Sequence, residues 1–193
     1  MTNPYAIGSS IYLRAPNISD AEGAWHEWFS DPETTQYLSD RNWPNTVDMQ
    51  KEFVASIQND SSRLVLCIID KETDQHIGVC NLSSISWIHR YADIALVVGD
   101  KRFRNGQVAI ETMSLLLEIA FLRLNLINVK GSYLSINRAT SMLMKLFQFD
   151  VCGRNVGLLN FRGSYVDSIN VQLNREIWIA RNPGKLGARV EVE

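Results

Sequence analysis

The sequence lacks the features of a secreted, metal-binding or membrane-embedded protein. Its three cysteines, Cys67, Cys80 and Cys152, are widely spaced and odd in number, which argues against a disulfide framework and against a Cys-x-x-Cys metal site. No basic start is followed by an apolar run, so no signal peptide is predicted. No apolar run approaches the roughly 20 residues of a membrane helix. We therefore expect reduced thiols, a cytoplasmic location, no bound metal and no membrane partner.

An excess of basic residues is also missing. The formal net charge is −2, which argues against a general nucleic-acid binder. The 193 residues are 46% hydrophobic and 21% charged, as in ordinary globular proteins. We expect a single domain over residues 1–193, with a core over about 10–178 and a C-terminal extension at 179–193. A homodimer is the one assembly left open.

Hydrophobic periodicity predicts an α/β (α+β) fold. One strand is followed by two or three helices, three antiparallel strands, a helix, a strand, a helix and two closing strands, so the sheet should be mixed, mostly antiparallel and flanked by helices. Ser19 and Pro32 are predicted to begin the first two helices, and Thr46 the third. The remaining predicted helices follow Gly106 and cover 138–147. The strands are predicted at 10–14, 63–70, 76–87, 91–98, 127–136, 149–157 and 165–181.

Residues 91–124 carry the strongest functional signal. They read as an apolar strand, a basic turn around Gly106, and a long amphipathic helix. Arg102 and Arg104 lie in that turn, beside backbone amides that a new helix leaves without partners inside the helix. The amides and the positive end of the helix dipole suit an anion such as a pyrophosphate. The alternative is a buried strand before an ordinary helix.

These residues resemble the coenzyme-binding core of the GNAT superfamily of acyl-CoA N-acyltransferases, in particular its spermidine and ribosomal-protein N-acetyltransferases. The family's phosphate loop is Gln/Arg-x-x-Gly-x-Gly/Ala, and residues 104–109 are R-N-G-Q-V-A. The segment ISWIHRYADIALVVGD is similar to the family's strand pair, and LNLINVKGSYLSIN ends in the asparagine that precedes the family's next helix. Residues 163–178, GSYVDSINVQLNREIW, are similar to its closing segment.

The resemblance implies the GNAT fold and acetyl-CoA as co-substrate. It implies that the strand at 91–98 pairs with the pantetheine arm as an added strand would, while the turn holds the pyrophosphate. The implied coenzyme-binding residues are Leu96, Val97, Val98, Arg102, Arg104, Asn105, Gly106, Gln107, Val108, Ala109 and Asn137.

Three positions depart from the family pattern. Gln107 stands where the family has its first glycine. Met144 stands where a tyrosine frequently acts as general acid, and methionine cannot donate a proton; core packing is its usual role. Gln148 replaces the glycine of a Gly-Phe pair, whereas Phe149 is retained. These departures keep open a non-catalytic module that binds a coenzyme or a partner.

Two residues are predicted to be catalytic. Asp93 matches the family's strand carboxylate and would accept the amine proton directly or through water; the alternative is a solvated carboxylate or an ion pair with Arg90. His89 is a second candidate base, because its pKa lies near neutrality. Tyr133 would supply the phenol that Met144 lacks, although a strand tyrosine also serves as packing.

The acceptor is predicted to contact residues 27–52, which cover the acceptor side in this family. Six acidic residues, Glu27, Asp31, Glu33, Asp40, Asp48 and Glu52, oppose Arg41 and Lys51, a net charge of −4. This balance favours a cationic primary amine such as a polyamine, but it also suits a solvated helical face. Trp25, Trp28 and Trp43 would stack on a substrate or pack in the core. A protein N-terminus and an amino sugar remain alternative acceptors.

Overall fold

A computed structural model describes residues 1–38 and 42–186. One sheet is flanked by helices on both faces. The strands are β1 Ala6–Ile7, β2 Ile11–Arg14, β3 Leu64–Asp70, β4 His76–Ser86, β5 Tyr91–Val98, β6 Asn128–Leu134, β7 Asp150–Phe161 and β8 Ser164–Asn174. The helices are α1 Ile18–Glu22, α2 Ala24–Ser30, α3 Val47–Ile57, α4 Gln107–Glu118, α5 Arg138–Leu146 and α6 Arg175–Arg181.

The strand order is β1-β2-β3-β4-β5-β6-β8-β7, as predicted for a mixed and mostly antiparallel sheet. Only the β5–β6 pair is parallel. A parallel neighbour needs a crossover, and α4 supplies it before the chain returns to the sheet. The chain leaves the end of β5 that is not paired with β6 and leads through a turn into the N-terminus of α4, which is the region that the sequence singled out.

Alternation along the strands divides the core between two faces. Ala92 and Ile94 of β5 join the larger cluster, which α4 closes with Leu116 and α6 with Trp178. The opposite face is covered by α1, α2 and α3 and includes Trp25 and Trp28. We call it the acceptor face, because the family resemblance predicts that the helices covering it contact the acceptor.

Glycine allows α2 to approach the sheet. A Cβ at Gly99, directly after β5, would collide with the indole of Trp28. The absence of that atom lets Trp28 pack against the end of β5 and become 8% exposed. The acceptor-face helices are thereby positioned relative to the strand that is predicted to bind the coenzyme.

Several predicted boundaries were wrong. Asn17, rather than Ser19, caps α1, and its side chain forms a capping box with Asp20. Gly23 divides the predicted first helix into α1 and α2. The segment after Pro32 forms turns instead of a helix. The last predicted strand ends at Asn174, whose side chain caps α6.

Within the described ranges, no helix is long and apolar enough to cross a bilayer. Cys67 and Cys80 are buried and Cys152 is exposed, all with free thiols. The predicted extension after Trp178 begins as the last turn of α6, and a short 3₁₀ helix follows at Pro183–Leu186. Residues 187–193 lie outside the described part of the chain.

Candidate active site

A gap opens in the sheet where β5 and β6 separate. Their parallel pairing covers only Tyr91 to Asp93 on β5, opposite residues 128–130. On its other edge, β5 stays paired with β4 as far as Val98 opposite Gly78. The outer backbone edge of Leu96, Val97 and Val98 therefore faces the gap, and apart from the Val98 carbonyl, which accepts from Arg104, peptide groups on that edge are available to an extended ligand. The three predicted pantetheine-binding residues lie on this edge.

The turn before α4, which is predicted to bind the pyrophosphate, ends at a glycine with a left-handed backbone conformation. Gly106 is the N-cap of α4 with φ 88°, a conformation that residues with a Cβ rarely adopt. The Asn105 side chain accepts from the Gln107 amide at 3.0 Å. The amides of Val108 and Ala109 belong to the first turn of α4, where no earlier helical carbonyl can pair with them. These amides point out of the helix at its positive end, and the Gln107 side chain is exposed.

The side chains of both arginines of the turn donate hydrogen bonds to other groups of the protein. Arg102 makes hydrogen bonds to the Asp100 carboxylate and to Gln75. Arg104 donates from Nε to the Val98 carbonyl at 3.0 Å and from Nη2 to the Gly99 carbonyl at 2.8 Å. Arg104 therefore holds the end of β5, so the backbone of the turn is the stronger candidate for a direct phosphate contact.

Asp93 lies at the last paired position before the gap, on the acceptor face. Its carboxylate is 3.1 Å from Nζ of Lys130, which is directly opposite on β6. The predicted partner Arg90 instead donates to the Asn125 carbonyl. Asp93 is partly accessible, so it can be reached by an amine while Lys130 restrains it. His89 is exposed in the β4–β5 turn, where its ring stacks on Tyr91.

Tyr133 is on the other face of the sheet from Asp93. It packs against the larger core cluster with Ala92 and Ile94, and it lies on β6 beyond the end of the β5–β6 pairing. The two predicted catalytic side chains are thus separated by the sheet, with the gap between them. This arrangement suits a base on the acceptor side and a proton donor on the coenzyme side.

The remaining predicted residues have structural contacts. Asn137 caps α5 by accepting from the Thr140 amide at 3.1 Å. Met144 is 6% exposed in the core, as its packing interpretation predicted. Gln148 adopts φ 57° at the end of α5, a left-handed conformation that favours glycine. The following residue, Phe149, is 7% exposed and anchors the chain in the core.

Two acidic residues of the acceptor side are engaged in ion pairs, and three others are exposed. Lys101 binds Asp31 at 3.3 Å and Glu33 at 2.7 Å. The Thr34 hydroxyl, together with Lys101, lowers the pKa of Asp31 to about 2. Glu27, Asp48 and Glu52 are exposed to solvent. Asp40 and Arg41 of the predicted charge balance lie outside the described residues.

Two adjoining cavities, each of about 410 Å³, open on the acceptor face. They share the walls formed by Phe29, Trp43, Pro44 and Asn45. The inner cavity reaches the sheet at Asn81, and the outer one reaches Arg162 at the β7–β8 turn. The sequence did not indicate Asn81 or Arg162, because neither belongs to a motif and both approach from distant parts of the chain.

A buried polar cluster lies farther along the same face. The ligand atoms of Asp20, Cys67 and His76 are within 4.8 Å of one another, the spacing of a metal site. However, Arg14 donates to both Asp20 oxygens, at 2.7 and 2.6 Å. Burial raises the pKa of the Cys67 thiol, which disfavours the thiolate that binds metals. We therefore interpret this cluster as a buried ion pair with packed neighbours.

Residues 10–149 match the acetyltransferase (GNAT) domain family, which covers most of the chain. The chain therefore belongs to this family and is an acyl-CoA N-acetyltransferase that acts on an amine. It is 27% identical over 144 residues to the N-acetyltransferase p20 of Bacillus licheniformis, covering 72% of this chain and 78% of that protein.

Solved structures have the same fold at low sequence identity. The spermidine N-acetyltransferase of Vibrio cholerae, in complex with CoA and spermine, is 19% identical and covers 89% of this chain and 99% of its own, with a TM-score of 0.81. A GNAT acetyltransferase from Bacillus anthracis is 17% identical over 89% of this chain and 98% of its own, with a TM-score of 0.75. These similarities confirm the predicted GNAT fold.

Proposed function

We propose that acetyl-CoA binds along the outer edge of β5, with its pyrophosphate at the first amides of α4, and that a primary amine attacks the acetyl group from the acceptor face. The observation that carries this proposal is the gap between β5 and β6, which opens directly beside the N-terminus of α4. A pantetheine arm would pair with Leu96 to Val98 there, and the amides of Val108 and Ala109 would meet the phosphates.

The reaction assigned to this arrangement is a direct transfer. The amine nitrogen attacks the thioester carbonyl, a C–N bond forms, and the C–S bond breaks as CoA leaves. Asp93 accepts the proton that the ammonium must lose, directly or through one water, while Lys130 restrains the carboxylate. Tyr133, across the gap, donates a proton to the departing thiolate, and the second proton that the nitrogen loses as the amide forms restores the phenol through water.

Coenzyme binding is tested first. Acetyl-CoA should raise the melting temperature of the protein, because a ligand at 100 times its dissociation constant stabilises the folded state by about 2.7 kcal/mol. Calorimetric titration should show saturable binding. If neither signal appears at millimolar acetyl-CoA, the assigned coenzyme site is wrong.

Catalysis is tested by release of the free CoA thiol with a panel of polyamines, peptide N-termini, amino sugars and aromatic amines. Asp93→Asn should lower the rate by roughly 10²–10⁴-fold with little change in coenzyme affinity. Asp150→Asn, at an exposed position on β7, is the matched control. Tyr133→Phe removes only a hydroxyl, with Tyr165→Phe as its exposed control. Coenzyme binding without thiol release from any amine would instead support the non-catalytic alternative.

A further inference from the structure

We infer that the preferred acceptor is an amine carried on an aromatic group with an anionic substituent, and that Arg162 determines this preference. The inference rests on the proposed function, because it assigns the two acceptor-face cavities to the amine substrate. It reverses the polyamine preference that the acidic residues of 27–52 suggested.

The inner cavity is positioned to deliver an amine to Asp93. Its floor includes Asn81 on β4, which pairs with Ala95 on β5. Asp93 is two residues from Ala95 on the same face, about 7 Å along the strand. Ala95 is exposed on this face, so the path between the cavity floor and the carboxylate is not filled by a large side chain.

Aromatic side chains form much of the cavity walls. Trp25, Phe29 and Phe53 line the inner cavity, and Trp43 stands between the two cavities. Trp43 is 76% exposed although it belongs to the most hydrophobic class of large side chains. A flat aromatic ligand would cover this surface and gain both burial and ring contact.

The charge of the cavities is the main argument against a polyamine. No acidic residue in the described ranges lines either cavity, and Arg162 is the single charged residue that does. Arg162 stacks on Phe161, with its guanidinium carbon 5.3 Å from the ring centre. No carboxylate of the described chain lies within salt-bridge distance of Arg162. A second ammonium would be repelled here, whereas a carboxylate or phosphate would be attracted.

Asn81 places an unpaired polar atom at the end of the inner cavity nearest Asp93. Its Oδ1 atom is buried and has no hydrogen-bond partner in the described structure. Buried acceptors are nearly always paired, and leaving one unpaired is unfavourable. A ligand N–H that reaches the amide as it reorients would satisfy it. The cavities thus have the Asn81 amide at the end near Asp93, aromatic walls in the middle and a cation at the outer end.

The experiment compares phenethylamine, para-carboxyphenethylamine and spermidine as acceptors. The first two differ only in the anionic group, so their ratio reports the contribution of Arg162. We expect the wild type to favour para-carboxyphenethylamine over phenethylamine by about fivefold in kcat/KM, as for an exposed ion pair, and both over spermidine. Arg162→Gln should abolish the preference for para-carboxyphenethylamine over phenethylamine. Arg181→Gln, on the opposite face of the sheet, should retain it.

The aromatic wall is tested separately. Trp43→Ala should lower kcat/KM for both aromatic amines by about tenfold. Trp87→Ala removes a half-exposed indole that lines neither cavity and should have no effect. Equal losses in both variants would remove the role assigned to Trp43.

A binding measurement tests the inference even if the rates of acetylation are too low to compare. Calorimetry of each amine with the CoA-saturated protein should give the same ranking of affinities. The inference is overturned if spermidine binds or reacts best, or if Arg162→Gln leaves the carboxylate preference intact. Failure of the proposed function would be different, since it would show as an absence of acetyl-CoA binding or of thiol release with every amine.

Discussion

His76 provides a quantitative test of the acceptor-face packing. Its ring is edge-on to Trp25 and Trp28, with centroid distances of 5.7 and 5.0 Å. Nε2 is 2.9 Å from the Gly78 carbonyl, so this nitrogen carries the proton in the neutral ring. Burial lowers the pKa of His76 from 6.5 to about 4. The nearby Asp20 carboxylate opposes this shift, whereas the Arg14 guanidinium paired with it adds to the shift.

The lowered pKa makes stability depend on pH in a defined window. Below pH 6.5 the unfolded chain binds a proton at this histidine, whereas the folded chain resists protonation until about pH 4. The unfolded state therefore binds more protons between these values, and the free energy of unfolding falls as the pH falls. At 1.36 kcal/mol per pKa unit, the loss is about 2 kcal/mol from pH 7 to pH 5 and approaches about 3 kcal/mol below pH 4.

Urea denaturation at pH 7, 6 and 5 measures this loss. His76→Gln can still donate to the Gly78 carbonyl but cannot titrate, so its stability should change by about 2 kcal/mol less than that of the wild type over this range. His89→Gln, at an exposed histidine, should follow the wild type. If His76→Gln and wild type lose stability in parallel from pH 7 to pH 5, the ring is not packed as described and the reasoning is refuted.

Three further predictions concern left-handed residues and the turn before α4. Gln148→Gly should stabilise the fold by roughly 0.5–1 kcal/mol in urea denaturation, because φ 57° strains a residue with a Cβ; Gln148→Ala should give no such gain, and equal gains from both would contradict the backbone argument. Gly106→Ala should destabilise by about 1 kcal/mol and weaken acetyl-CoA binding, since φ 88° disfavours alanine although the Cβ would meet open space. Gln107→Gly should keep or improve coenzyme affinity in the same titration, and a large loss would mean that the Gln107 side chain itself contacts the coenzyme.

The strand and the turn that are proposed to bind the coenzyme were predictable from local sequence as elements of structure. The strand at Tyr91–Val98 and the turn before α4 depend on an apolar run, a glycine and a helical period, all within a short segment. Such signals depend on neighbouring residues and can be recognised without knowledge of the tertiary structure. Met144 was likewise interpretable as core from its place in an amphipathic helix.

The acceptor side was not predictable in this way. The negative balance of residues 27–52 favoured a cationic amine, but Lys101 and Arg104 lie some 70 residues away and pair with Asp31 and Glu33. Arg162 reaches the outer cavity from the β7–β8 turn. Charges that approach from distant segments have no local signature in a single sequence.

The sequence by itself therefore determined most of the order of strands and helices, including the crossover helix and the glycine turn before it, because each depends on residues a few positions apart. The tertiary structure alone decided where β5 and β6 separate, which faces Asp93 and Tyr133 occupy, and which charges remain to meet a substrate. Those properties depend on strand register and on contacts between segments far apart in the chain, and they are settled only when the whole core packs.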